Sequence, residues 1–396
     1  MNELPGPPLR IAVLGDFEGS HTRAWLGAFV ERGHDVHAIS YYTPRAELPG
    51  VTLHALSSAR KDGASNRSAN RPSRINRLPR SIMRLVHAVR YRRAGLRRFL
   101  RDIRPDVFHS HYAVEHGFYG ALAGFHPYVI SAWGSDLLLE SHGLLGRRIA
   151  AWALSKADIV TGNDISLVQR AVALGVAPEK AVVVHLGIEA AFLEAGGDSV
   201  NLRGDVASPP TIISNRAHEP LYNIDAVLTG FAAARRDVPG ARLLVAGTGS
   251  LDGGLQRLAR DMDLGDSVSF VGQLDQPTLA AALAGAQAYV SIPSSDSMAL
   301  SNLEAMAAGA FPIVSDLPSV EGWVEDGVSG LRLPPGDHVA LAAALRRALG
   351  DATLRRSAAI ENRRLVEARG LRQPNMLLME RHYYRLAGHP LEDRAI

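Results

Sequence analysis

The chain has 396 residues, 46% hydrophobic and 21% charged, a globular composition long enough for two domains of ordinary size. With 43 basic and 40 acidic residues the net charge is only +3, and the absence of cysteine excludes disulfides, thiolate metal sites and cysteine nucleophiles. The start, MNELPGPPLR, has an acid and three prolines but no apolar core, and no apolar run approaches the ~20 residues of a membrane span, so a cytoplasmic location is expected.

RIAVLG (10–15) reads as a buried strand. The loop DFEGS leads to a helix over Thr22–Arg32, apolar at Trp25, Leu26, Phe29 and Val30, and HDVHAIS is the next strand. This is a Rossmann-like opening, although Gly15 and Gly19 do not form the dinucleotide fingerprint. VTLHALS (51–57) is a third strand. Gly63–Arg101 then carries twelve arginines and no acid. Its first part is loop-like, and from Ser81 it becomes helical, with Leu85, Val89, Leu96 and Leu100 on one stripe. Two readings stand: a core-packed helix with a solvated basic face, or attraction to an anionic partner such as bilayer headgroups. Nucleic acid is not expected, because no aromatic platform interleaves the arginines.

PDVFHSHYA (105–113) is the fourth strand, and His109 and His111, two apart, share one face. YVISA is the fifth, followed by the loop Trp133-Gly134-Ser135-Asp136, an aromatic and a carboxylate of the kind that suits a sugar. A helix and strand follow over Ile149–Asp164, then a last strand over Lys180–Phe192, and AGGDSVNLRGDVASPP reads as a linker.

The second half restarts with TIISNR, a strand ending on Arg216. Helix, strand and the tight turn Gly247-Thr248-Gly249 follow, then a strand through Val271 and Gly272. Ser291–Asp316 reads as strand, loop, helix and strand, with Ser297 as N-cap of a helix over Ala299–Ala308 and Gly309 as its stop. A helix N-terminus at the C-terminal edge of a parallel sheet suits phosphate, whereas the flanking acids Asp296 and Glu304 suit sugar hydroxyls. Helices over about 337–349 and 352–367 and an amphipathic Pro374–Leu386 complete the chain.

Asp296, seven residues, then Glu304-Ala-Met-Ala-Ala-Gly309 resembles the signature of retaining nucleotide-sugar glycosyltransferases of the GT-B fold, the family 4-like or group 1 enzymes. Asp296 stands where a Glu is usual, and Ser297-Met298-Ala299 where Gly-Phe-Gly is usual. The resemblance implies an α/β fold of two Rossmann-like domains facing across a cleft. Residues 1–195 would bind the acceptor, with 372–396 packing back on them, and 196–371 would bind the donor. It implies a nucleotide-sugar donor, with UDP the expected nucleotide, and a glycan, lipid-linked or small-molecule acceptor. Arg216, Asp296 and His111 would be catalytic. Glu304 would hold the ribose, and Tyr222, at the usual lysine position, with Met298, Ala299, Leu300, Leu303, Gly247, Val271 and Gly272 would complete the donor side. Gly15, Asp16, Gly19, His21, Trp133 and Asp136 would face the acceptor. No metal or cofactor is expected, since the helix dipole and Arg216 can take a metal's place. Peripheral contact with an anionic membrane would run through Arg67–Arg101. A GT-B epimerase or phosphorylase and a non-catalytic nucleotide-sugar-binding module are the alternatives.

Overall fold

The computed structural model describes residues 6–45, 47–56, 78–140, 143–197 and 209–389, so the basic loop at 57–77 and the linker residues 198–208 lie outside the described residues. Contacts divide the chain into two compact units, Met1–Val184 with Met376–Ile396, and His185–Asn375. The first holds β1 (Arg10–Leu14), α1 (Ser20–Glu31), β2 (Asp35–Ser40), β3 (Val51–Ala55), α2 (Leu78–Ile103), β4 (Val107–His111), α3 (His116–Ala123), β5 (Tyr128–Ala132), α4 (Leu144–Leu154), β6 (Ile159–Gly162), α5 (Ile165–Ala173) and β7 (Ala181–Val183). The second holds α6 (Ala191–Gly196), β8 (Thr211–Ser214), α7 (Ile224–Arg235), β9 (Arg242–Ala246), α8 (Asp252–Asp261), β10 (Val268–Gly272), α9 (Gln276–Gly285), β11 (Ala288–Ser291), α10 (Leu300–Ala308), β12 (Phe311–Ser315), β13 (Leu331–Leu333), α11 (His338–Gly350) and α12 (Ala352–Arg369). The last helix, α13 (Arg372–Leu386), begins in the second unit, and its residues from Met376 onward belong to the first.

Each unit is one parallel sheet, ordered β3-β2-β1-β4-β5-β6-β7 in the first and β10-β9-β8-β11-β12-β13 in the second. β4, β5 and β12 are buried along their whole length, which is why their sequences are apolar runs rather than alternations. In a parallel sheet every strand delivers its following loop to one edge, so the loops after β1, β4 and β5, and those after β8, β9 and β11, gather at the ligand-binding edge of their own sheets.

The division at 184/185 falls before the expected boundary at 195/196. The expected strand over Lys180–Phe192 stops at Val183, and Ile188 and Phe192 are buried in the core of the second unit with Met306 and Val366. Helix α2 starts at Leu78, three residues before the expected Ser81, and buries Leu96, Leu100 and Ile103. Arg93 and Arg97 on it donate to the carbonyls of Leu122 and Ala123, both at 2.9 Å, satisfying the C-terminal end of α3.

The end of α13 is bound into the first unit by polar contacts. His34 Nδ1 accepts the Leu9 N–H at 3.0 Å, which leaves Nε2–H to donate to Glu380 at 2.7 Å. Arg32 grips the same carboxylate with two nitrogens, at 2.5 and 2.8 Å. Burial raises the Glu380 carboxyl, but hydrogen bonds from His34 and Arg32 and the Arg32 charge outweigh it and hold the group below its ordinary value. Tyr383 hydrogen-bonds His109 at 2.6 Å, and burial pushes that imidazole down to about 3, so it is neutral. Among the described residues no helix is long and apolar enough to cross a membrane.

Candidate active site

In the second unit the candidate residues converge on Arg216, two residues beyond the end of β8. Its Nη1 donates to Ser301 Oγ at 2.7 Å, its Nη2 pairs with Asp296, and its guanidinium carbon lies 4.4 Å from the centroid of the Tyr222 ring. Burial would weaken the charge, and the Asp296 carboxylate with the Tyr289 and Tyr222 rings more than restores it. The Arg216 Nε is buried and without a partner. Asp296 is therefore the arginine's counter-ion, and Tyr222 fixes the plane of the guanidinium instead of adding a second charge. Ser301 also accepts the Tyr289 hydroxyl at 2.8 Å, and a serine at the second position of an apolar helix gave no sequence signal for this role.

Helix α10 carries Glu304 one turn beyond Ser301, on the same face. The expected Ser297 cap is not formed: the N-cap is Ala299, in extended conformation, and no side chain caps the helix. Sequence reasoning favoured the hydroxyl, but the loop enters the helix two residues later. Gly309 ends the helix at φ 83°, as the spacing anticipates. Met298 and Leu303 are buried at 1% exposure, and both side chains belong to the core, so only their backbones can serve a ligand. Burial pushes the half-buried Glu304 carboxyl up to about 7, against the pull of the Asn215 hydrogen bond and the Arg372 and Arg216 charges.

Gly247 lies against Arg216. Its φ is 141°, and a Cβ there would stand 2.3 Å from the Arg216 carbonyl oxygen, so only glycine fits. Its N–H donates to the Gly272 carbonyl at 2.8 Å, which links the ends of β9 and β10 beside the arginine, with Val271 exposed next to it. His218, absent from the expectations, bonds Asp252 through Nδ1 at 2.5 Å, and its buried Nε2 has no partner.

In the first unit the loops after β1, β4 and β5 bring another set together. The His111 ring lies 4.7 Å from Trp133, the His21 ring 6.4 Å from Trp133, and a Cβ on Gly15 would stand 3.6 Å from His111 Cβ. Asp16 accepts the Glu18 N–H at 3.2 Å, and Gly19 is the extended N-cap of α1, where an added Cβ would meet nothing within 4 Å. His111 itself is fully buried beneath Trp25 and Trp133, with neither ring nitrogen paired, and burial holds it well below its ordinary pKa. The expectation of a substrate-facing histidine is corrected accordingly: in this conformation His111 is a neutral ring under the indole. Asp136 is also fully buried, accepting the N–H groups of Ala113 (2.8 Å), Gly134 (3.0 Å) and Trp133 (3.2 Å), while burial raises its carboxyl. It orders the loop that carries Trp133, and its oxygens do not face an acceptor. Tyr112, missed in the sequence, stacks 6.2 Å from Trp133 from a strained backbone with φ 72°. Among the described residues no group of three or more His, Asp or Glu side chains gathers as a metal-ligand set.

The family described as Glycosyl transferases group 1 matches residues 204–365, and that described as Glycosyl transferase 4-like matches residues 10–164. The glycogen synthase of Mycobacterium tuberculosis is 28% identical over 375 residues, covering 90% of this chain and 87% of that protein. Among solved structures, a glycosyltransferase from Rickettsia africae superposes with a TM-score of 0.74 at 11% identity, covering 96% of this chain and 99% of the other. Anabaena Alr3699/HepE in complex with UDP superposes with a TM-score of 0.72 at 15% identity, covering 96% and 100%. Matched in both units and along most of its length, the chain belongs to the group 1 glycosyltransferases: it is a hexosyltransferase-type enzyme with the two-domain GT-B fold.

Proposed function

We propose that the protein transfers a sugar from a UDP-sugar to a hydroxyl of a glycan, lipid-linked or small-molecule acceptor, with retention of anomeric configuration and without a divalent metal. The observation that carries this reading is Arg216, buried and aimed by Asp296, Ser301 and Tyr222 beside the N-terminus of α10, which no side chain caps. A departing diphosphate gains the guanidinium and the backbone N–H groups of Met298–Leu300, both preorganised before the bond breaks. Asp296 then exchanges its arginine for the hydroxyls of the donor sugar, and Glu304 accepts the ribose hydroxyls. The departing phosphate oxygen takes the acceptor's proton, so no protein nucleophile is required. On the acceptor side Trp133 and His21 present aromatic faces to a sugar. That a related fold is solved with UDP supports the choice of nucleotide. The reaction is placed at the cytoplasmic side, with the basic stretch Arg67–Arg101 as a peripheral membrane contact.

The test is a thermal-shift screen with UDP, GDP, TDP and ADP, followed by hydrolysis of the matching donor sugar with and without EDTA. The expected result is stabilisation by UDP above the others and turnover that survives EDTA. A strict requirement for magnesium would overturn the metal-free mechanism.

A further inference from the structure

His218 stands two residues beyond Arg216 and takes no part in the contacts that aim that arginine. Its side chain is only 3% exposed, and the ring lies edge-on to Phe270 of β10, with centroids 6.2 Å apart. Nδ1 is 2.5 Å from the carboxylate of Asp252, the first residue of α8. A carboxylate can only accept, so Nδ1 carries the hydrogen, and in the neutral imidazole that leaves Nε2 as a bare acceptor. Nε2 is buried, and no donor meets it among the described residues. A Cβ built on Gly247 would stand 3.5 Å from it, so the bare face of that glycine borders the nitrogen.

The polar groups around the ring are matched. The His218 N–H donates to the Thr248 carbonyl at 3.1 Å, and the His218 carbonyl accepts the Leu251 N–H at 2.9 Å. Asp252 also accepts the Gly249 N–H at 2.9 Å, while Glu219 accepts the Ser250 N–H at 2.8 Å and its hydroxyl at 2.5 Å. Residues 216–219 and the turn 247–252 thus form one clasp, and Nε2 is the acceptor that the clasp leaves over. A buried acceptor without a donor is costly, and a site built around one selects a ligand that brings an N–H or O–H. It does not suit an anion, because the lone pair and the nearby carboxylates of Asp252 and Glu219 all repel negative charge.

The strand order β10-β9-β8-β11 sets Arg216 at the middle of the edge, with α10 following β11 on one side and the ends of β9 and β10 on the other. A nucleotide whose diphosphate meets Arg216 and α10 extends its base toward the β9–β10 side, where the clasp lies. Its ribose hydroxyls go to Glu304, which leaves the base as the source of the N–H. We infer that His218 reads the base of the donor nucleotide: Nε2 accepts the N3–H of uracil, and Asp252 is the positioning residue that fixes the tautomer. The inference rests on the UDP-sugar reading and deepens it by naming what selects the base. Cytosine carries no hydrogen on N3 and would set one lone pair against another.

The test titrates the full chain with UDP, CDP and UDP methylated at N3. The wild-type protein is expected to bind UDP about tenfold or more tighter than either of the other two. His218→Leu is expected to bring the three to within about twofold of one another. His218→Gln, whose amide oxygen reaches the place of Nε2, is expected to keep most of the preference for UDP. A merely structural role would weaken all three ligands alike, so the readout is the ratio of affinities. The N3-methyl comparison on the wild type needs no variant and stands even where His218→Leu fails to fold. Equal wild-type affinity for UDP and its N3-methyl form, or a UDP-to-CDP ratio unchanged in His218→Leu, would overturn the inference while UDP binding itself leaves the donor reading intact. A wild-type protein that binds no uridine nucleotide would overturn both.

Discussion

Replacing Glu304 with Gln should stabilise the second unit, and only above acid pH. Burial holds the carboxyl at about 7 instead of its ordinary 4.5. Below 4.5 the group is neutral both folded and unfolded, so wild type and variant should be equal there. As pH climbs from 4.5 toward 7 the unfolded chain releases the proton first, and the folded state falls behind. Well above both values the ionised side chain costs about 3 kcal/mol, or nearer 2 kcal/mol once its residual exposure to water is included. Glutamine keeps the shape and never ionises, so this penalty disappears. The assay is differential calorimetry at acid and mildly alkaline pH, chosen because two units need not melt together, and only one transition should move. The reasoning is refuted if the variant differs by the same amount at both pH values, or if it loses stability as pH rises. UDP adds a second readout. Ribose hydroxyls favour the ionised carboxylate, so binding near neutral pH should release protons in the wild type and not in the variant.

The other predictions concern Arg216 and its surroundings. Arg216→Ala should lower turnover on the order of a hundredfold or more, because the guanidinium acts mainly on the departing diphosphate; an unchanged rate in a donor-hydrolysis assay would place the diphosphate elsewhere. Asp296→Asn should tighten UDP in calorimetric titration, since the carboxylate competes with phosphate for Arg216, while donor turnover falls; looser UDP would contradict that competition. Gly247→Ala forces a Cβ to 2.3 Å from the Arg216 carbonyl. It should raise the donor KM and cost about 2 kcal/mol or more in melting stability, and wild-type kinetics would show that the loop yields freely.

The fold was legible because strand burial and helix periodicity are written in short windows. RIAVL, VFHSH and FPIVS appear as strands in sequence and in structure. The spacing of Asp296 and Glu304 marked the start of α10, where the structure pairs Asp296 with Arg216. Contacts between segments distant in the chain were harder to read. Nothing around Ser301 reveals that it receives Arg216, 85 residues earlier. His111 and Asp136 have the residue types of a site, but their burial depends on Trp25 and on the Ala113 backbone, which no local pattern specifies. The Ser297 cap failed for a related reason: a hydroxyl before a helix is a good local guess, and the path of the chain from β11 decided against it.

The attachment of α13 has a consequence for how the protein is made. Glu380 and Tyr383 complete the polar interior of a unit whose strands were all synthesised before residue 185. Until they arrive, His34, Arg32 and His109 lack partners that they hold in the finished structure. During translation the second unit can close as soon as Asn375 has emerged, whereas the first must wait for the final helix, with a loop of nearly two hundred residues to be closed. The unit that begins first should therefore finish last, and a ribosome stalled within α13 would hold a finished second unit and an incomplete first one.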